Sequence, residues 1–145
     1  MKKIEVIARA LILKGDKILL CKMKRDRHYF LPGGHLEFGE SAQGALSREL
    51  KEELGIKSEV GSLIGICEHI YRKTGKKHHE INLIFKVEIK KINLKGRERK
   101  LKFYLKDLKK FKKIYFLPRN LKKALFGYFK NKKLFNKKFF WKTFK

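Results

Sequence analysis

Two cysteines, Cys21 and Cys67, are the only thiols in this chain of 145 residues. Each lies in an apolar, strand-like run. Two such thiols supply neither a disulfide framework nor a Cys/His zinc cluster, so they read as buried and reduced, and with them comes the expectation of a cytoplasmic protein. Long apolar runs are missing as well. None approaches the roughly 20 residues of a spanning helix, so no transmembrane segment is expected. Met1-Lys2-Lys3 leads into too mixed a segment for a signal peptide. Acidic residues are scarce: 14 Asp and Glu stand against 39 Lys and Arg, a formal net charge of +25. Such a field attracts polyanions, among them nucleotides, RNA and anionic membrane surfaces. Lysines spread through most of the chain also fit a compositional drift that enriches Ile, Asn and Phe alongside them.

What is present suits one compact domain, since 43% of residues are hydrophobic and the length allows a sizeable core. Residues 4–13 and 17–23 alternate and flank Gly15-Asp16, which predicts a hairpin. A short strand is expected at His28-Tyr29-Phe30, before Leu31-Pro32-Gly33-Gly34 breaks the regularity. Residues 56–71 and 79–89 read as two strands of a long antiparallel ribbon turning at Thr74-Gly75, with Ile81, Leu83, Phe85, Val87 and Ile89 on one face. A short strand near Leu101 to Phe103, a helical turn or two from Leu105 to Phe111, and a helix after Pro118 follow. That last helix puts Leu121, Ala124, Leu125, Tyr128 and Phe129 on one side. Mixed strands, a central amphipathic helix and a C-terminal helix predict an α/β chain, a sheet sandwiched between helices.

Residues 34–56, GHLEFGESAQGALSRELKEELGI, carry the chemistry. Ser41 is a good helix N-cap and Gly55 a left-handed stop, while Gly44 inside the helix costs about 1 kcal/mol relative to alanine. At 100° per residue, Glu49, Glu52 and Glu53 fall within roughly a 100° arc. That arc is not opposite the apolar stripe of Leu46, Leu50 and Leu54. Glu53 projects between Ala42 and Leu46, toward the body of the protein. Carboxylates crowded in a partly enclosed place repel one another and lose hydration unless a cation joins them, and a hard, oxygen-seeking divalent ion is the natural partner. Alone, an acidic helix such as RELKEEL equally describes a solvated face.

The spacing goes further. Gly34, five residues, Glu40, seven residues, then Arg48-Glu49-Leu50-Lys51-Glu52-Glu53-Leu54-Gly55-Ile56 resembles the signature of the Nudix hydrolase family at all nine of its constrained positions. The resemblance implies a Nudix-like α/β/α sandwich with a mixed β-sheet over roughly residues 1–130. It also implies a pyrophosphohydrolase of nucleoside diphosphate-linked or nucleoside triphosphate substrates, working by water attack on phosphorus. It further implies a Mg²⁺ or Mn²⁺ shell at Gly34, Glu49, Glu52 and Glu53, with Gly34 contributing its backbone carbonyl. By the same resemblance Glu52, Glu53 and Arg48 are expected to form the catalytic set. Arg48 fixes a glutamate by bidentate pairing rather than touching substrate, and the general base is one of the glutamates or a downstream loop carboxylate. Glu40 reads as a helix-start group more than a direct ligand.

Outside the signature the readings stay open. Arg25 and Arg27 are candidates to hold a substrate phosphate. Glu80, with Glu68, is a candidate for substrate or metal contact, or else an exposed strand carboxylate. Tyr71 is placed to stack a base or to sit on a strand surface. The histidines show no zinc spacing. Residues 108–145 hold fourteen Lys or Arg and no Asp or Glu. The part beyond Asn131 forms a basic, aromatic tail (132–145) on, or part of, a 1–131 domain, suited to single-stranded bases or an anionic membrane. Two rival functions remain: an RNA 5′ pyrophosphohydrolase, favoured by the charge, and a non-catalytic nucleotide sensor. Sensors of that kind tend to lose signature glutamates, and here all are kept. The oligomeric state is open, with a homodimer through an exposed ribbon among the readings.

Overall fold

In the computed structural model, residues 2–97 and 99–130 and the backbone of 140–144 are described. The elements are β1 (Glu5–Leu11), β2 (Leu13–Lys14), β3 (Lys17–Met23), β4 (Gly33–His35), α1 (Ala42–Leu54), β5 (Ser58–Lys73) and β6 (Lys76–Ile89). After them come β7 (Leu101–Asp107), a 3-10 segment (Leu108–Lys113), α2 (Arg119–Lys130) and β8 (Phe140–Phe144). They build two sheets, one ordered β4-β1-β6-β5-β8 and the other β2-β3-β7. β1 runs parallel to β6 and antiparallel to β4, so the larger sheet is mixed, as expected. The expected tail lies outside the described residues except for the backbone of β8, which pairs parallel to β5.

Two cores follow from this layering. Leu46, Leu50 and Leu54 of α1 pack on Ala8, Ala10 and Phe85. On the other side Leu121 and Leu125 of α2 pack with Leu11, Leu20, Ile84 and Phe116. Leu50 and Leu125 are both 0% exposed, and truncating either to alanine is worth about 2–5 kcal/mol. Among the described residues no helix is long and apolar enough to cross a membrane.

The expected first hairpin is much shorter than its pattern. β1 joins the larger sheet, and only Leu13 and Lys14 pair with β3. The ladder changes partner at the junction: Leu11 is the last residue of β1 in register with β6, opposite Lys86, and Leu13 is in register with Ile18 of β3. Leu11 and Ile12 between them are both buried, one in the α2-side core and the other in the α1-side core. His28 to Phe30 makes only two isolated bridges, Cys21 with Phe30 and Tyr29 with Phe116. The helical turn expected from Leu105 starts at Leu108 instead, because β3 pairs with β7 as far as Asp107. Asp107 then caps the turn, accepting from the Lys109 N–H at 3.0 Å.

The β5–β6 ribbon forms as predicted, with Thr74 and Gly75 both at positive φ (49° and 78°) in the connecting turn. Helix α1 also runs as predicted. Ser41 accepts from the Gly44 N–H at 3.0 Å, and Gly55 closes the helix at φ 66°. Gly44 now has a reason: a Cβ there would stand 2.9 Å from the Ser41 hydroxyl oxygen. Ser41→Ala should cost about 1 kcal/mol in a urea unfolding curve. Both cysteines are buried thiols outside any disulfide, and burial, followed by the Glu80 carboxylate, pushes the Cys67 thiol up to about 12. Neither thiol should react with a disulfide reagent in the native protein at neutral pH, and both should react in denaturant.

Candidate active site

Arg48 is the hub of the α1 surface. Its Nε donates to Glu40 Oε1 at 2.8 Å and its Nη2 to Glu40 Oε2 at 3.1 Å, a two-pronged pairing. The other prong, Nη1, donates to Glu49 Oε1 at 3.1 Å and reaches Glu52 Oε2 at 3.5 Å. Nη2 also donates to the His35 carbonyl at 3.3 Å, tying the helix to β4. One planar, always-charged fork therefore orients two carboxylates and holds an edge strand. The hydrogen bonds from Arg48, then that from the Glu37 N–H, hold the Glu40 carboxyl below its ordinary range. The stability this pairing gives is therefore present above the ordinary carboxylate pKa. It disappears only as pH falls through the lowered one.

The glycines explain how β4 approaches the helix. Gly33 sits at φ 139°, where a Cβ would stand 2.0 Å from the Ala8 carbonyl oxygen of the neighbouring strand. Gly33→Ala should therefore destabilise the fold by about 2 kcal/mol or more, read as a lowered melting temperature. Gly34 has an ordinary backbone but presses on the helix: a Cβ there would lie 2.3 Å from Glu49 Cδ. The Gly34 backbone and the Glu49 carboxylate thus occupy adjoining space that a side chain would fill.

Glu53 is 6% exposed, one of two buried polar residues among those described, while the Glu52 side chain is 59% exposed. The structure thus separates three glutamates that the helix wheel put within one arc: Glu53 is buried, Glu49 is held by Arg48, and Glu52 is largely exposed with Arg48 at 3.5 Å. Among the described residues no three His, Cys, Asp or Glu side chains already stand as a metal-holding group. Arg48 serves as counter-ion to Glu49 and Glu52 in this arrangement. The donor set nonetheless fits a hard divalent cation: carboxylates from successive turns, one of them buried, beside a backbone kept bare at Gly34.

A cleft of about 390 Å³ opens on the opposite face of the larger sheet, lined by Arg9, Phe30, Tyr71, Glu80 and Asn82 among others. Its polar floor is continuous. Arg9 Nε donates to Asn82 Oδ1 at 3.3 Å, Asn82 Nδ2 to Glu80 Oε2 at 3.5 Å, and the Tyr71 hydroxyl to Glu80 Oε1 at 2.6 Å. Burial, then Glu80, raises the Tyr71 hydroxyl well above the ordinary phenol range, so it stays a donor. Rings of His69, Tyr71 and His78 stack successively at 4.5 and 5.0 Å. β4, the edge strand beside β1, is tied to the carboxylate helix through Arg48. The His35 ring lies 3.7 Å from the Glu5 carboxylate, and Glu5 is in register beside Glu80.

The structure therefore brings Gly34, Arg48, Glu49 and Glu40 into contact, with Glu52 and Glu53 on the same helix. Glu80 lies in the cleft instead. Glu68 is engaged by His79 Nε2 at 2.7 Å. Arg25 and Arg27 are exposed, while the cleft is lined by Asp26 and His28 from the same loop. Arg9 and Asn82 were missed in the sequence. Asn82 lies on the second face of β6, where Glu80 and Asn82 precede the buried Ile84, opposite the apolar face of Ile81, Leu83 and Phe85.

This fold, with its carboxylate helix, is that of Nudix hydrolases of known structure. A Nudix hydrolase from Nitrosomonas europaea matches with a TM-score of 0.71 at 18% identity, covering 97% of this chain and 79% of that one. The mutator MutT protein of Bacillus halodurans matches with a TM-score of 0.73 at 24% identity, covering 97% and 88%. Among curated sequences, an ADP-ribose pyrophosphatase of Methanocaldococcus jannaschii is 37% identical over 82 residues, 54% of this chain and 47% of that protein. The matched segment thus spans about half the length of that relative. A probable DHNTP pyrophosphohydrolase of Lactococcus lactis is 29% identical over 121 residues, covering 77% and 72%. The NUDIX domain model matches residues 3–125, and the chain belongs to the Nudix hydrolase family.

Proposed function

We propose that this chain is a divalent-metal-dependent pyrophosphohydrolase of a nucleoside diphosphate-linked or nucleoside triphosphate substrate. The observation that carries this reading is the meeting of Gly34 with the Arg48-held Glu49 on the helix that also bears buried Glu53. Glu49, Glu52, Glu53 and the Gly34 carbonyl would hold Mg²⁺ or Mn²⁺. When bound, that ion neutralises pyrophosphate oxygens and lowers the pKa of water. Water oxygen adds to phosphorus, the bridging P–O bond breaks, and its electron pair leaves with the departing phosphate. Glu53 or Glu52 takes the proton from the attacking water. Arg48 is a positioning residue that keeps Glu49 and β4 in place.

The cleft suits the organic part of the nucleotide. Its volume is in the range of small-molecule pockets. Glu80 would repel a phosphate but accepts hydrogen bonds from a base, and Arg9 donates. Glu80→Gln should therefore change kcat/KM by about tenfold between bases with different donor patterns, leaving the metal requirement unchanged. The names of the relatives add ADP-ribose and DHNTP as candidates. Calorimetric titration with Mn²⁺ tests the metal reading directly. Binding that is lost in Glu49→Gln/Glu53→Gln supports it, and no binding to the wild type with or without nucleotide overturns it.

A further inference from the structure

A recess of about 760 Å³ lies between the end of α1 and the open end of the β5–β6 ribbon, and the pyrophosphate chemistry makes no use of it. Ser47, Lys51 and Gly55 form its α1 wall, a stripe at four-residue spacing beside that of Arg48 and Glu52. Ser58 lines the facing wall. It stands in register with Ile89 of the α1-side core, so its side chain turns toward the helix. The Ser58 hydroxyl oxygen is buried and has no hydrogen-bond partner among the described residues. A buried hydroxyl in that state is costly until a ligand pairs with it.

The charge around that hydroxyl is of one sign. Lys51, Lys57, Lys90 and Lys91 line the recess, and none forms an ion pair with a described carboxylate. Glu59 and Glu88 also border it. They face each other one position beyond Ser58 and Ile89, and successive strand residues point to opposite faces, so both carboxylates turn away from α1. The C-terminal end of a helix is ordinarily poor ground for an anion. Here its carbonyls are engaged, that of Lys51 by the Gly55 N–H at 2.8 Å and that of Glu53 by the Arg97 N–H at 2.6 Å. The Arg97 guanidinium packs on Gly55, where a Cβ would stand 2.5 Å from its Nε. Ile56 and Ile89 add apolar surface, and among the described residues no aromatic ring lines the recess.

We propose that this recess is a second ligand site, for the phosphoryl group of a small, non-aromatic phosphate ester. Lysine ammoniums neutralise the phosphate oxygens, and the Ser58 hydroxyl donates to one of them. With no ring to stack a base, the site differs in kind from the cleft of Phe30 and Tyr71. Its volume, within the small-molecule range, leaves room for a sugar-sized body. An occupant bridges α1 to the ribbon away from the helix carboxylates. Its binding needs neither metal nor turnover, so the site stands or falls apart from the pyrophosphohydrolase reading.

Calorimetric titration of the full chain with glucose 6-phosphate, at fixed ionic strength and without divalent metal, tests the site. Saturable binding is expected, and it should persist in Glu49→Gln/Glu53→Gln. Lys51→Ala/Lys91→Ala should weaken it by at least about tenfold, the scale of losing charged hydrogen bonds. Ser58→Ala should weaken it several-fold yet leave the melting temperature of the ligand-free protein unchanged or higher, since the hydroxyl it removes has no partner to lose. The ligand should raise the melting temperature of the wild type by a few degrees and that of either recess variant by less. Glucose should not bind. Inorganic phosphate as competitor separates the sources: equal affinity assigns the site to free phosphate and weaker affinity to the ester, and either supports a phosphoryl site. The proposal is overturned if neither phosphate compound binds saturably, if affinity is unchanged in both recess variants, or if glucose binds as well as its phosphate.

Discussion

Replacing Glu53 with glutamine is expected to lower kcat for pyrophosphate hydrolysis by about 10³-fold or more, the scale of losing one preorganised electrostatic group at a charged transition state. The amide keeps the side chain's volume, so the packing between α1 and the sheet is undisturbed. What changes is charge: Glu53 is 6% exposed, and the amide removes the negative charge while keeping the side chain's shape. The variant should accordingly melt within a few degrees of the wild type, a loss of function without loss of fold. Steady-state kinetics with thermal melts of both proteins check it. A variant that retains kcat within tenfold would remove Glu53 from the chemistry.

The second large effect is expected from one methyl group. Gly34→Ala puts a Cβ 2.3 Å from Glu49 Cδ, without the left-handed backbone that makes Gly33 irreplaceable. Since the backbone conformation is open to alanine, the strain is relieved by moving the Glu49 carboxylate, which Arg48 otherwise holds at 3.1 Å. A displacement of an ångström or so at a positioned group costs about 10²-fold in rate. The melting temperature should fall by only a few degrees, whereas Gly33→Ala should lower it more and carry activity down only through unfolding. Circular dichroism melts beside kcat values at a temperature where both variants are folded separate the two glycines. Equal stability losses with no kinetic difference would contradict the distinction.

The helix was legible in the sequence because its instructions are local. Ser41, Gly55 and the leucine stripe act within a few residues of one another, and the spacing from Gly34 to Ile56 needs no tertiary information. Even the inward aim of Glu53 followed from the wheel. The ribbon was equally plain, since period-two alternation on β6 and the Thr74-Gly75 turn specify it without help. The split of the first strand was not legible. The run Leu11-Ile12-Leu13 is continuously apolar, and nothing in it marks where the backbone leaves β6 and takes up β3 as its partner. The cleft was hidden for a related reason. Arg9, Asn82 and Glu80 lie on β1 and β6, joined by a parallel pairing across more than seventy positions of sequence. Arg25 and Arg27 were attractive by proximity along the chain, yet the same loop turns Asp26 and His28 toward the cleft. The hub role of Arg48 lay between these extremes. Its place in the signature marked it, but its simultaneous hold on Glu40, Glu49 and His35 required β4 to be folded against α1.

The account stands most directly on one measurement: chromatographic product analysis of the purified protein with Mg²⁺ or Mn²⁺ against nucleoside triphosphates, ADP-ribose, other nucleoside diphosphate derivatives and a 5′-triphosphorylated RNA. It predicts cleavage at a pyrophosphate linkage of at least one of them, abolished by chelator and by Glu53→Gln. Tight binding of a nucleotide with no turnover anywhere in the panel would contradict it and leave the chain a nucleotide-binding module.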